Sequence, residues 1–248
     1  MIGQVLTYFL IFLLAMGGAF IQRVSGFGFG IFVMIFLPYL LSSYGEATAL
    51  SGLLAGSSAL LIAVRMWRRI RWSVVWPLLL VNVVVSVVAI EFMASLSNDS
   101  LKRCFGVMFI LIALYFYFFD GKARVPDVWW SKGALGALSG VMGGMFAMPG
   151  PALVLYCVSH IKNKYEYVAT LQAFSVLLNL FYALLRARVG FLTDNTLFLW
   201  GLGMFGAVVG TFVGTRLFAI LSNWHSCRSF LATWRNMPLS QWKPWKTR

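Results

Sequence analysis

The sequence predicts an all-α integral membrane protein built from two related halves. Of its 248 residues, 60% are hydrophobic and only 11% are charged, and the mean hydropathy is +0.84. These values exclude an ordinary soluble domain. The apolar runs are much longer than the alternating segments of about ten residues that build an outer-membrane barrel, so we expect helical spans.

Long apolar runs separated by short polar segments define the spans. The first run is long enough for one crossing of about 20 residues plus a broken or re-entrant piece. The expected spans cover residues 5–41, 47–64, 73–93, 102–119, 133–158, 167–185 and 195–221. The sequence therefore predicts several crossings, with an interruption in the first.

Short motifs recur in the same order in both halves and indicate a duplication. Arg69-Ile70-Arg71-Trp72 is echoed by Arg188-Val189-Gly190-Phe191, and Arg103-Cys104-Phe105 is echoed by Arg228-Ser229-Phe230. Each unit would hold four spans, which is an even number. We therefore expect parallel repeats about an axis along the membrane normal, unless the glycine-rich segments re-enter without crossing.

The duplication divides the chain into four regions. They are a first repeat at 1–120, a cytoplasmic linker at 121–132, a second repeat at 133–230 and a basic polar tail at 231–248. The second repeat has three recognisable spans, because no apolar window of about 18 residues follows Phe230. The fourth span of this repeat is missing, and we expect a truncated or frame-altered C-terminus.

Basic residues in the short connections predict the orientation. The positive-inside rule places the connection from Arg65 to Arg71 in the cytoplasm. We expect residues 120–132 and the turn with Arg186 and Arg188 on the same side. The segments with Glu46, with Glu91 and Asp99, and with Lys162, Lys164 and Glu166 would lie opposite. These assignments predict a cytoplasmic N-terminus in a bacterial inner membrane, and they explain the net charge of +13 without a nucleic-acid partner.

The first candidate site is a charged, glycine-rich patch from Gln22 to Gly30. An arginine at the depth of Arg23 is costly in lipid, so it normally faces a polar cavity or a partner. Gly26, Gly28 and Gly30 can unwind a helix and bring bare backbone close to a ligand. Snorkelling of the arginine and close helix packing by the glycines are the structural alternatives.

A second glycine-rich patch stands at the corresponding place of the second half. It contains Gly140, Gly143 and Gly144, followed by Pro149-Gly150-Pro151. Two interrupted segments in matching places are typical of a transporter's binding site. Freed N–H groups at the start of a half-helix would attract an anion.

Polar side chains within later spans are further candidates. Gln172, Ser175 and Asn179 share one helix face, and they either line the pathway or bond between helices. Asn82 has the same two interpretations. Glu91 and Arg216 occupy corresponding places in the two halves, where they either pair as a gate or face solvent and the membrane interface.

Several classes of chemistry find no support in the sequence. The spans hold no nucleophile–base pair, paired carboxylates or metal-ligand cluster, so we expect neither an enzyme nor a cofactor or metal. The first glycine patch lacks the GK[ST] ending of a phosphate-binding loop.

Residues 5 to about 230 resemble the sulfite exporter TauE/SafE family. Arg23 to Gly30 is similar to that family's opening motif, although Val24 replaces the usual glycine. The stretch from Gly140 to Pro151 and the end of the seventh span, Gly210 to Arg216, are also similar. The resemblance implies an inner-membrane transporter of about eight helices that exports sulfite, sulfonates or related sulfur oxyanions.

These observations predict an anion transporter that works by alternating access, with the lipid bilayer and a small anion as its partners and a homo-oligomer as a further possibility. A non-transporting membrane scaffold or a degenerate paralogue is the alternative. The predicted substrate-binding residues are Gln22, Arg23, Ser25, Gly26, Gly28, Gly30, Gly143, Gly144, Pro149, Gly150, Pro151, Gln172 and Asn179.

Overall fold

The computed structural model describes residues 2–119 and 125–222, and within them it contains helices and no strand. The helices are α1 (Ile2–Ser25), α2 (Phe29–Met34), α3 (Leu37–Leu40), α4 (Tyr44–Met66), α5 (Trp72–Ser95), α6 (Asn98–Phe119), α7 (Trp129–Phe146), α8 (Gly150–His160), α9 (Lys164–Arg188) and α10 (Asp194–Ser222). Among them, α1, α4, α5, α9 and α10 are long and apolar enough to span a membrane. The all-α membrane fold is confirmed. The predicted tail at 231–248, with its missing or altered span, lies outside the described residues.

The first predicted interruption separates α1 from α2. Gly26 and Gly28 have φ values of 88° and 100°, which glycine adopts far more readily than other residues. The chain then turns back on itself, because a Cβ at Gly18 would lie 2.8 Å from the Val33 side chain and 3.0 Å from that of Phe29. Helices α1 and α2 therefore form a hairpin that re-enters.

The second interruption separates α7 from α8, and proline rather than glycine defines it. Ala147 has a φ of 57°, in the left-handed region. The N–H groups of Ala147 and Met148 donate to the carbonyls of Gly143 at 3.1 Å and Met142 at 3.2 Å, which pairs two carbonyls at the end of α7. Pro149 then prevents α7 from continuing. The Tyr156 hydroxyl on α8 donates to Asp127 just before α7, at 2.8 Å, so this hairpin also turns back.

Glycines on one face of α10 set its direction against α1. Cβ atoms at Gly206 and Gly210 would lie 2.3 Å from the Phe12 carbonyl oxygen and 2.0 Å from the Met16 carbonyl oxygen. Residue numbers rise together on both helices, so α1 and α10 run parallel. Only glycine permits backbones to approach this closely.

Glycines on α7 make the same kind of contact with α5. Cβ atoms at Gly136 and Gly140 would lie 3.2 Å from the Leu78 carbonyl oxygen and 2.8 Å from the Asn82 carbonyl oxygen. These two helices are parallel as well. The pairs α1 with α10 and α7 with α5 are equivalent, because each joins the first helix of one half to the corresponding later helix of the other.

The two halves run in opposite directions, which corrects the expectation of parallel repeats. Thr48 on α4 contacts Arg186 on α9, and Gly56 further along α4 contacts Asn179, so α4 and α9 are antiparallel. Short turns reverse the chain from α4 to α5 and from α9 to α10. Helices α1, α4 and α10 therefore share one direction, and α5, α7 and α9 share the other. The physical reason is that each glycine-rich segment re-enters, as the sequence left open.

The re-entrant hairpins also change which connections share a face. The arginine face is defined here as the ends that carry Arg65–Arg71, the 125–132 connection and the 161–164 turn, joined by an ion pair between Arg71 and Glu166 at 3.7 Å. The opposite face carries the start of α1, Glu46, Asp99 and the 189–193 turn, where the Thr193 hydroxyl donates to Glu46 at 3.0 Å. The predicted sides of the Lys162–Glu166 segment and of the turn with Arg188 were therefore wrong.

With these two segments on their observed faces, basic and acidic residues are more unequally distributed between the two faces than the sequence predicted. The arginine face holds Arg65, Arg68, Arg69, Arg71, Lys132, Lys162, Lys164 and Arg216 with the acids Asp127 and Glu166, whereas the opposite face holds Glu46, Glu91, Asp99 and Asp194 with the bases Lys102, Arg103 and Arg188. The start of α1 and the arginine-rich connection lie at different ends of the bundle.

A labelling experiment tests the opposed faces. In a variant whose own cysteines are replaced, Ser97→Cys and Lys162→Cys place one thiol on each face. We expect an impermeant maleimide to label only one of them in intact cells, and both after permeabilisation, because a bilayer separates the two faces. Labelling of both thiols in intact cells would contradict the inverted fold and restore the parallel arrangement.

Candidate functional site

The two interruptions meet beside the middle of α4 and α9. A Cβ at Gly30 would lie 2.2 Å from the Ala147 carbonyl oxygen, and one at Gly150 would lie 3.3 Å from the Phe27 Cβ. A cleft opens where they meet. Its lining residues are Gln22, Gly26, Phe27, Gly28, Phe29, Gly30, Ile31, Ala55, Ala147, Met148, Pro149, Gly150, Pro151, Leu153, Leu171, Ser175 and Asn179.

The lining contains no charged side chain among the described residues. Its polar groups are backbone, one hydroxyl and side-chain amides. Helix α8 begins here at Gly150, and the N-terminus of a helix carries a partial positive charge from its unpaired N–H groups. The cleft therefore combines a weakly positive potential with neutral hydrogen-bonding groups.

Gln22 and Gln172 hold the first interruption together. The Gln22 amide donates to the Gln172 side-chain oxygen at 3.0 Å and accepts from Ser58 at 2.8 Å. The Gln172 amide in turn donates to the Gly26 carbonyl oxygen at 3.1 Å. Gln172 thus satisfies a carbonyl that the end of α1 leaves exposed, and it lies behind the cleft rather than in its lining.

Ser175 and Asn179 form the polar wall that α9 contributes. The Asn179 amide nitrogen donates to the Ser175 carbonyl oxygen at 2.8 Å and to its hydroxyl at 3.2 Å. The Asn179 side-chain oxygen has no partner among the described residues, although only 3% of the residue is exposed. Of the polar residues predicted on α9, these two face the cleft.

Arg23 points toward α10 and is absent from the cleft lining. Its Nε donates to the Thr215 hydroxyl at 2.9 Å, and its aliphatic part lies against Gly214. The structure therefore separates Arg23 from the glycines that follow it in the sequence. A role for this residue in binding stays a prediction.

Three other predicted binding residues stabilise the hairpins and do not line the cleft. The Ser25 hydroxyl donates to the Ile21 carbonyl oxygen at 2.8 Å and also contacts Phe27. Gly143 lets the Tyr182 hydroxyl approach, since a Cβ there would lie 2.2 Å from it, and Gly144 packs on Ala89. Both glycines therefore allow close helix packing, the structural alternative given for the glycine patches.

Arg186 is the residue that the sequence did not reveal. It was placed in a polar turn beside Arg188, yet only 1% of it is exposed. Its Nη2 donates to the carbonyl oxygens of Gly143 at 2.9 Å and Gly144 at 3.0 Å, and its Nη1 donates to that of Thr48 at 3.2 Å. The guanidinium thus caps the negative end of α7.

The spacing along α9 could have identified Arg186. It follows Asn179 by two helical turns, on the face that already carries Gln172 and Ser175. The neighbouring arginine hid it, because Arg188 is exposed and ends the helix.

The remaining polar candidates are structural or far apart. Asn82 donates to the Ser139 hydroxyl at 2.8 Å and accepts from Tyr182 at 2.7 Å, so it joins three helices. Glu91 and Arg216 cannot pair as a gate, because α5 and α10 run in opposite directions and each residue lies near the end of its helix. Both are exposed.

Comparisons with known proteins identify one family. The family model described as sulfite exporter TauE/SafE matches residues 10–233, which covers all the helices described above apart from the start of α1. No curated protein and no solved structure matches the chain.

Replacing Arg186 tests its capping role. In Arg186→Met, the buried carbonyls of Thr48, Gly143 and Gly144 each lose a charged donor, so we expect a loss of about 3 kcal/mol in stability. The matched variant Arg188→Met removes an exposed cation from the same turn and should change stability by less than about 0.5 kcal/mol. Denaturation in detergent measures both, and equal stability of the two variants would refute the cap.

Proposed function

The chain belongs to the sulfite exporter TauE/SafE family, and on that premise we propose that it exports a small sulfur oxyanion, such as sulfite or a sulfonate, across the bacterial inner membrane. The family model covers most of the chain, and five described helices are long and apolar enough to span a membrane. The chain is thus a multi-pass membrane protein of a transporter family, and the substrate and mechanism are our proposal.

One observation carries the proposal: two broken helices meet at a single cleft beside the middle of the bundle. The backbone at 26–31 and 147–151 forms two of its walls. Irregular backbone at membrane depth is tolerated only where it is buried or lines a cavity. A cleft with the N-terminus of α8 and no acidic side chain in its described lining favours an anion over a cation.

The inverted halves support alternating access. A structure with inverted repeats can exchange the conformations of its two halves, which opens the same site first to one face and then to the other. Here the hairpin α1–α2 packs on α10 of the other half, and the hairpin α7–α8 packs on α5. We propose that each hairpin moves with its partner helix about the central pair of α4 and α9.

We propose that the arginine face is cytoplasmic and that the N-terminus lies outside. The N-terminus is thus placed on the opposite side from the one expected from the sequence. The reason for the orientation is the same, because the positive-inside rule still places the Arg65–Arg71 connection in the cytoplasm. The described basic residues on that face outnumber the acidic ones, and on the opposite face the acidic residues predominate. In the labelling experiment above, Ser97→Cys should be the thiol that reacts in intact cells.

An isosteric charge change in the cleft tests the function. Asn179→Asp keeps the size of the side chain but adds a negative charge to the wall, which should repel an anion. In proteoliposomes loaded with radiolabelled sulfite at about pH 8, we expect efflux to fall at least about tenfold, as a loss of 1.4 kcal/mol would produce. The same change at Asn163→Asp, at the exposed N-cap of α9, should leave efflux unchanged.

The outcomes separate transport from the alternative role. Equal efflux in Asn179→Asp and the wild-type protein would remove the cleft from the pathway. Absence of efflux from the wild-type protein for sulfite and for a panel of sulfonates would support a non-transporting membrane scaffold.

A further inference from the structure

We propose that Arg186 and Tyr44 form a second anion site. It lies next to the cleft, between the cleft and the end of the bundle that is opposite the arginine face. The inference rests on the proposed function for the identity of the anion, a small oxyanion on its way out. The site itself rests on an uncompensated buried charge and on unsatisfied buried donors.

The charge of Arg186 has no counter-ion among the described residues. Within the described part of the chain, the guanidinium contacts three backbone carbonyls and the face of the Tyr182 ring, whose centroid lies 5.4 Å from it. Carbonyl dipoles satisfy N–H groups but leave a full positive charge in a low-dielectric interior. A buried charge of this kind is normally balanced by an ion of opposite sign.

Unsatisfied polar atoms cluster on the two helices that hold this charge. The Nε of Arg186, the hydroxyl of Tyr44 and the hydroxyl of Ser51 are buried without a hydrogen-bond partner in the described part of the chain. Tyr44 is 1% exposed and Ser51 is 0% exposed. Native proteins rarely leave such groups unpaired.

The geometry of α4 brings these groups toward Arg186. Tyr44, Thr48 and Ser51 follow one another at helical spacing along one face. The carbonyl oxygen of Thr48, between the other two, accepts from Arg186 Nη1 at 3.2 Å. The three unpaired donors therefore lie along the face of α4 beside Arg186 and on Arg186 itself.

Asn179 connects this site to the cleft. A Cβ at Gly52 would lie 2.9 Å from Arg186 Nη1 and 3.1 Å from the side-chain oxygen of Asn179, so both side chains border the space that this glycine leaves. Asn179 also lines the cleft. An anion released from the cleft would pass Asn179 and meet Arg186 next.

The ligand class follows from the donors. A water molecule could satisfy the hydroxyls of Tyr44 and Ser51 but not the charge of Arg186. An acceptor with several oxygens matches a planar N–H donor and two hydroxyl donors, as in the recognition of oxyanions by arginine. A sulfur oxyanion has this chemistry, and chloride is the competing occupant for the test.

Anion-dependent thermal stability of the full chain in nanodiscs tests the proposal. A ligand that binds only the folded protein raises Tm with its concentration. We expect sodium sulfite to raise the Tm of the wild-type protein. In Tyr44→Phe, the sulfite concentration needed for a given rise in Tm should increase about tenfold, corresponding to one lost hydrogen bond to a charged ligand.

Tyr44→Phe removes no hydrogen bond of its hydroxyl in the described structure, so its Tm without anion should be unchanged or higher. Tyr39→Phe is the matched control, because Tyr39 is 79% exposed on the same end of the bundle. Its sulfite response should equal that of the wild-type protein. If Tyr44→Phe does not fold, Ser51→Ala, which removes the other unpaired hydroxyl on α4, takes its place in the measurement with the same expected result.

The outcomes separate this inference from the proposed function. A weakened sulfite response in Tyr44→Phe, with normal Tyr39→Phe, supports the site even if proteoliposomes show no efflux, and then only the proposed function fails. A response to sodium chloride that Tyr44→Phe weakens supports an anion site that holds chloride. An unchanged response in Tyr44→Phe, or no response of the wild-type protein to either salt, overturns the site whatever the efflux.

Discussion

The fold depends on how two helices can be interrupted inside a membrane without leaving their backbone unpaired. Each interruption exposes carbonyl groups that lipid cannot satisfy. Helix α9 satisfies both sets, since Gln172 donates to the Gly26 carbonyl oxygen and Arg186 donates to those of Gly143 and Gly144. One straight helix therefore fixes both hairpins, and its position beside α4 places the cleft between them.

The two halves solve the same problem with different chemistry. A neutral amide caps α1, whereas a cation caps α7. The sequence placed the charge of the site in the first half, at Arg23, but that side chain contacts Thr215. The buried cation nearest the polar wall belongs to the second half. This asymmetry gives the protein a positive charge on one side of an otherwise neutral cleft, which suits directional movement of an anion.

The membrane class, the helix positions and the site of each interruption could be predicted, because hydropathy and glycine or proline act locally. The glycines at 26, 28 and 30 and the prolines at 149 and 151 lie in the cleft lining, and their binding role stays a prediction. The direction of the halves could not be predicted from span counting, because a re-entrant hairpin and a crossing have the same hydropathy. Arg186 was missed for a similar reason, since burial of a cation beside an exposed one depends on tertiary packing.

The central claim is that the two interruptions meet, and a disulfide between them tests it most directly. The variant has no native cysteine and carries a protease site between residues 120 and 125. Phe27→Cys and Gly150→Cys then place one thiol on each interruption, because a Cβ at Gly150 would lie 3.3 Å from the Phe27 Cβ. This spacing is close to that of a disulfide, about 3.8 Å. After oxidation and cleavage, the account predicts that the halves stay joined until reduced, while a control pair of Phe27→Cys with Gly133→Cys separates. Separation of the first pair would contradict it.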